Sequence, residues 1–117
     1  MGFQDNIPIY VQIADDIKNE IISGKIQAMD KLLSVRQYSA RYQVTALTIQ
    51  RAVALLESEG IIHTQKGVGS FVNSDAPKRL REDMVWEEVH GFLNRMKKMG
   101  FDRDSIIQKV KEGLEHE

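Results

Sequence analysis

Gln50 and Arg51, with Leu47 about one turn before them and Ala54 about one turn after, carry the chemistry of a surface that reads nucleic-acid bases. A glutamine amide can make paired hydrogen bonds to adenine, a guanidinium does the same with guanine, and a leucine can lie against a thymine methyl. The small Ala54 lets such a helix come close to a groove. A second set suits phosphate. The hydroxyls of Ser34, Thr45 and Thr48 stand near predicted helix starts, and Arg36 follows one of them. Backbone N–H groups at a helix start already favour an anion, and contacts of this kind position a protein on a duplex without reading its sequence. The third set is the run Lys66-Gly67-Val68-Gly69-Ser70, where Lys66, Gly67 and Gly69 make a slim cationic tip that can approach a groove or backbone closely. It lacks the Gly-Lys-Ser/Thr ending of a nucleotide phosphate loop. Each set has a plainer reading alone: a solvated helix face, a surface ion pair at Arg36, an ordinary tight turn.

Other chemistries find little support. His63, His90 and His116 lie far apart without a partner at ligand spacing, so no metal site is expected. No nucleophile, base and orienting group fall together, so neither catalysis nor a cofactor is expected. Asp15-Asp16 and Glu87-Glu88 read as solvated helix faces.

The elements that must hold these residues follow from apolar spacing. Pro8 suits the opening turn of a helix, in which Tyr10, Ile13, Ala14, Ile17 and Ile21 form one face, with Gly24 beyond its end. Ser34 and Gln37 have capping-box spacing and start a brief helix ending near Tyr42. Gln43-Val44 is a turn, and Thr45 caps a third helix whose inner stripe is Ile49, Ala52, Val53 and Leu56. Gly60 follows that helix. Residues 61–64 and 70–72 read as strands of a hairpin joined by residues 65–69. Two close helices followed by a hairpin make a winged helix-turn-helix, expected over residues 1–76.

Asn73 to Lys78, with Asp75 and Pro77, is the expected hinge, and residues 77–117 a short helical dimerisation tail. Val85, Val89, Phe92, Met96 and Met99 alternate steps of four and three, the pattern of a helix–helix seam. Gly100 closes that helix, and either Asp102 or Asp104 can cap a last one bearing Ile106, Ile107, Val110 and Leu114. A tail this short is near the size at which helices cannot keep a core alone, so it packs on a second copy or on the first domain. The fold class is thus mainly α with a small β-hairpin. A tail of this length has no room within one subunit for a ligand pocket of several hundred Å³, and no effector is assigned.

Of the 117 residues, 42% are hydrophobic and 28% charged, which fits an ordinary globular protein rather than a disordered or membrane one. No stretch approaches the roughly 18 apolar residues of a membrane span. The absence of cysteine excludes disulfides and fits a reducing interior, so the cytoplasm is expected. The formal charge of −1 conceals an uneven distribution. Between Lys31 and Lys66, the basic residues Lys31, Arg36, Arg41, Arg51 and Lys66 face only Glu57 and Glu59. The first thirty residues are acidic by comparison. A basic middle in a near-neutral chain can form a positive face.

An ordered set of motifs extends this reading: Pro8-Ile9-Tyr10-Val11-Gln12-Ile13, Ile22-Ser23-Gly24-Lys25-Ile26, Leu32-Leu33-Ser34-Val35-Arg36, Thr48-Ile49-Gln50-Arg51-Ala52, Leu56-Glu57-Ser58-Glu59-Gly60-Ile61-Ile62, and Lys66-Gly67-Val68-Gly69-Ser70-Phe71-Val72. With these the chain resembles GntR-family bacterial regulators, and within them the small YtrA-type members with a two-helix tail. The resemblance implies a homodimer on a near-palindromic double-stranded operator, the third helix in the major groove and the hairpin tip at the minor groove. By position it implies that Arg36 touches phosphate, that Thr48 and Gln50 lie at the DNA beside Arg51, and that Lys66 and Gly67 form the wing tip. YtrA-type regulators often control neighbouring transporter operons, commonly as repressors. The chain departs from the family pattern in four places. Met29 stands where glycine is usual, Leu33 where proline is usual, and Tyr38 where leucine is common. Thr45-Ala46-Leu47 lacks the polar or basic residues often found before Thr48, which shifts weight toward DNA shape. A protein–protein adaptor built on the same winged helix is the alternative.

Overall fold

Pro8 opens α1 (Ile9–Ile22), and Ile13, Ala14, Ile17 and Ile21 turn inward along it. In the computed structural model, which describes residues 2–117, four further helices and one hairpin follow: α2 (Val35–Tyr42), α3 (Ala46–Ser58), β1 (Ile62–Gln65), β2 (Gly69–Val72), α4 (Ala76–Lys98) and α5 (Arg103–Glu115). The molecule divides into two compact units, Met1–Arg81 and Glu82–Glu117. The chain is mainly helical with a small antiparallel sheet, as the spacing predicts.

In the first unit, α1 and α2 pack on α3, whose Ile49, Ala52 and Leu56 are fully buried. Val53, expected in that stripe, is only half-buried at its edge. The capping box of α2 forms in full: Gln37 N donates to Ser34 Oγ at 3.1 Å and Ser34 N to Gln37 Oε1 at 2.9 Å. Gln43 takes a left-handed conformation at φ 56° and turns the chain toward α3.

The hairpin differs slightly from the expected strands. β1 starts at Ile62 because the Ile61 N–H closes α3 by donating to Leu56 O, while Gly60, at φ +73°, donates to Glu57 O. These two hydrogen bonds with a left-handed glycine are the common helix-ending arrangement. Gln65 and Gly69, expected in the connection, instead pair with each other at the ends of the strands. The turn is therefore only Lys66-Gly67-Val68, with Val68 N donating to Gln65 O and Gly67 at φ +76°. Residues 29–32 run along the outer edge of β2. Lys31 pairs with Phe71, Leu32 N donates to Ser70 O, and Met29 N donates to Val72 O.

Asn73–Lys78 is not the free hinge its composition suggests. Asn73 N donates to Ile61 O, Asn73 Nδ2 donates to Gly60 O at 2.8 Å, and Asn73 Oδ1 accepts from His63 Nδ1. Arg79 donates to Glu59 O. Pro77 sits in the first turn of α4, where its missing N–H costs nothing, and Ala76 and Leu80 are buried in the first unit's core. Side-chain bonds fix the segment in place.

In the second unit, Asp102 rather than Asp104 caps α5, accepting from Ser105 N at 2.9 Å and Ser105 Oγ at 2.6 Å. Only Ile106 is buried in this unit among the described residues. Of the seam residues, Phe92 and Met96 are half-buried, and Val85, Val89 and Met99 are exposed.

Candidate nucleic-acid interface

Burial of one side of α3 decides what its other side offers. With Ile49, Ala52 and Leu56 locked inward, the helical period turns Leu47, Gln50, Arg51 and Ala54 to solvent. Leu47 is 55% exposed on the same flank as Gln50, Arg51 and Ala54, where an apolar side chain is available for contact. Arg51 and Ala54 border a shallow open groove shared with Tyr10, Leu55 and Ser58.

The hydroxyls stand at helix starts in a form that leaves donors over. Ser34 Oγ accepts from Gln37 N, so its own hydrogen is free. Thr45 Oγ1 accepts from Thr48 N at 3.3 Å and lies 2.9 Å from Thr48 Oγ1. One of that pair donates to the other, and one hydrogen remains for an outside acceptor. Arg36 is exposed in the first turn of α2, one residue beyond the start of that helix.

Charge pairing sharpens the basic stretch. Arg41 is withdrawn: its guanidinium meets Glu20 at 2.9 Å, which holds it protonated even more firmly, and stacks over Tyr42. Glu59, one of the two acids in the stretch, is paired with Lys18, and Glu57 accepts from Thr64. Among the described residues, Lys31, Arg36, Arg51 and Lys66 have no acidic partner within salt-bridge distance. Lys66, Gly67 and Val68 are exposed at the hairpin turn, and Gly69 is half-buried at its base. Lys31, which nothing in the linear spacing singles out, reaches that same base from the neighbouring edge segment.

Two tyrosines behind this surface are structural. Burial pushes the Tyr42 hydroxyl well above its ordinary range, and Asp16, whose carboxylate accepts a hydrogen bond from it at 2.6 Å, adds to the effect. Tyr38, where the resemblance leads one to expect leucine, is 1% exposed and also raised by burial. No group of three or more His, Cys, Asp or Glu that could hold a metal occurs among the described residues. His63 instead stacks on Phe71 and bonds to Asn73.

Two packed helices, an outward-facing flank on the second and a glycine-tipped hairpin after it occupy residues 9–72. A family profile described as bacterial regulatory proteins, gntR family, matches those residues. The chain belongs to the gntR family. Its tail agrees with the YtrA type. The HTH-type transcriptional repressor YtrA of Bacillus subtilis (strain 168) is 29% identical over 93% of this chain and 86% of its own length. A GntR family transcriptional regulator from Listeria monocytogenes is 39% identical, with a TM-score of 0.78 over 94% of this chain and 98% of that one. AraR(DBD), solved in complex with operator ORX1, has 29% identity and a TM-score of 0.57 over 61% of this chain and 92% of that one. This GntR-family chain is thus a winged helix-turn-helix protein of the DNA-binding transcriptional regulators. Met29, where the resemblance leads one to expect glycine, holds a left-handed conformation at φ 71°, which glycine adopts without steric cost.

Proposed function

We propose that this GntR-family regulator binds a near-palindromic operator as a homodimer and represses transcription of a neighbouring, transporter-linked operon, acting in the cytoplasm. The carrying observation is the exposed α3 flank, Leu47, Gln50, Arg51 and Ala54, together with the cations Lys31, Arg36, Arg51 and Lys66, which have no acid within salt-bridge distance among the described residues. In this reading α3 enters the major groove, with Gln50 and Arg51 at base edges and Leu47 against a thymine methyl. Ser34, Arg36, Thr45 and Thr48 hold phosphates, and Lys66 with Gly67 and Gly69 brings the wing to the minor groove. The Bacillus YtrA named as a repressor and the AraR domain bound to an operator support the choice of repression and of operator DNA. The adaptor alternative gives the unpaired cations no role.

Homodimerisation rests on the tail. Val85, Val89 and Met99 expose an apolar line on and just past α4, continued by half-buried Phe92 and Met96, while Ile107, Val110 and Leu114 of α5 are also exposed. That much uncovered apolar side chain in a unit that buries only Ile106 calls for a second copy. The chemistry on α3 and the wing is recognition chemistry, and no catalytic role is assigned.

Selection of duplexes from a random-sequence pool by the pure protein tests this reading. Enrichment of an inverted repeat with half-sites about one helical turn, roughly 34 Å, apart is the expected result. Recovery of unrelated sequences would overturn it.

A further inference from the structure

Gly69 is the tightest glycine in the molecule, and what crowds it is a cation. A Cβ at Gly69 would lie 2.6 Å from Lys31 Cε and 3.6 Å from Lys31 Nζ, and its φ of +145° is one that side-chain-bearing residues rarely adopt. The backbone explains why Lys31 is there. Lys31 pairs with Phe71 across the edge of β2, so its side chain leaves the sheet on the same face as Phe71 and, two residues along, Gly69. Bonds on both sides fix the register, Leu32 N to Ser70 O at 2.8 Å and Val72 N to Asp30 O at 2.9 Å. The aliphatic stem then lies across the bare backbone of Gly69, and the ammonium arrives at the base of the Lys66-Gly67-Val68 turn. No acid lies within salt-bridge distance of it among the described residues.

The geometry points to Lys31 as a phosphate-binding residue of the wing, with Gly69 as the positioning residue that seats it. This rests on the DNA-binding reading above and deepens it, because it changes what Gly69 is for. Gly69 need not touch DNA: its lack of a side chain lets a cation from a distant part of the sequence reach the hairpin. Lys31 and Lys66 then bracket the turn and can hold the sugar-phosphate backbone on both sides of the groove that the tip enters. Two ammonium charges at one turn give affinity without base preference, as phosphate contacts do.

The test compares the parent protein with Lys31→Met, Lys31→Arg and Gly69→Ala, titrated on a duplex selected from a random pool and on an unselected duplex of equal length, over a range of salt concentrations. Each phosphate contact to duplex DNA contributes about 0.9 to the slope of log affinity against log salt. Lys31→Met is expected to weaken both duplexes by a similar factor, about 3- to 10-fold, and to lower the slope by about one. Lys31→Arg is expected to keep the parent slope. Gly69→Ala displaces the flexible end of Lys31, so it should lower the slope as Lys31→Met does, and adding Lys31→Met to it should cost nothing more in slope, because the two changes remove one contact; a Gly69→Ala slope equal to the parent's would overturn the role given to Gly69. A steep parent slope left unchanged by Lys31→Met would overturn the proposal and leave the DNA-binding reading standing. A flat parent slope would overturn both. Should Gly69→Ala fail to fold, the Lys31 variants decide alone.

Discussion

The two units of this protein solve opposite problems. In the first, fifteen buried residues from three helices, the hairpin, the start of α4 and the connecting residues Leu32 and Ile61 close one core, and the apolar side chains left outside are few. In the second, one buried residue, Ile106, stands against exposed Met84, Val85, Trp86, Val89, Met99, Ile107, Val110 and Leu114. Ion pairs follow the same division. In the first unit Lys18–Glu59 and Arg41–Glu20 tie separate helices together, whereas the second has only the local Lys109–Glu112 pair within α5. The difference teaches that Met1–Arg81 holds its own shape, while Glu82–Glu117 keeps apolar area in reserve for something else. In the proposed reading, the closed core presents the α3 flank to DNA and the uncovered apolar side chains of the tail are kept for a second copy.

This contrast can be broken most forcefully from the core. Ile49→Ala, at a fully buried position under the α3 flank, is expected to cost about 2–5 kcal/mol in urea unfolding of the first unit. A loss below 1 kcal/mol would mean that the first unit is not the rigid one. Val89→Asp attacks the tail. Burying a valine is worth roughly 1.5–3 kcal/mol, so the dimer dissociation constant is expected to rise about 10- to 100-fold in sedimentation equilibrium, with the first unit's unfolding unchanged. An unchanged dissociation constant would place the partner surface elsewhere.

Two smaller predictions sharpen the comparison. Met29 holds a left-handed conformation that costs an ordinary residue about 1–2 kcal/mol. It is 59% exposed, so Met29→Gly loses little packing and should stabilise the first unit by about 0.5–1 kcal/mol once the glycine's own backbone entropy is counted. Calorimetry showing destabilisation would contradict this. In the second unit, hydrogen bonds from the Ser105 side chain and backbone hold the Asp102 carboxyl below its ordinary value of 3.8. A depressed carboxyl stabilises the folded state above its unfolded pKa, and that contribution is lost as pH falls through the folded value. Helical circular dichroism of the tail should therefore decline below pH 3.8 in the parent, and this part of the decline should be missing in Asp102→Asn.

The helices were legible because their signals are local. Ser34 with Gln37, Thr45 with Thr48, and Gly60 beyond α3 each act within a few residues, and the inner stripe of α3 fixed which flank faces out. What escaped depends on partners far along the chain. Asn73 looks like linker until its side chain is seen to bind Gly60 and His63, thirteen and ten residues back. Lys31 looks like one cation among several until the pairing with Phe71 carries it to Gly69. The one-residue shift of β1 has a local cause, since the Ile61 N–H serves α3 before it can serve the sheet.

The central claim is that the α3 flank reads DNA in two symmetric places, and footprinting tests it most directly. The parent protein on its selected duplex should protect two patches about 10 base pairs apart on one face of the helix. Arg51→Ala should lose that protection at concentrations where the parent gives it fully. Equal protection by both proteins would contradict the account.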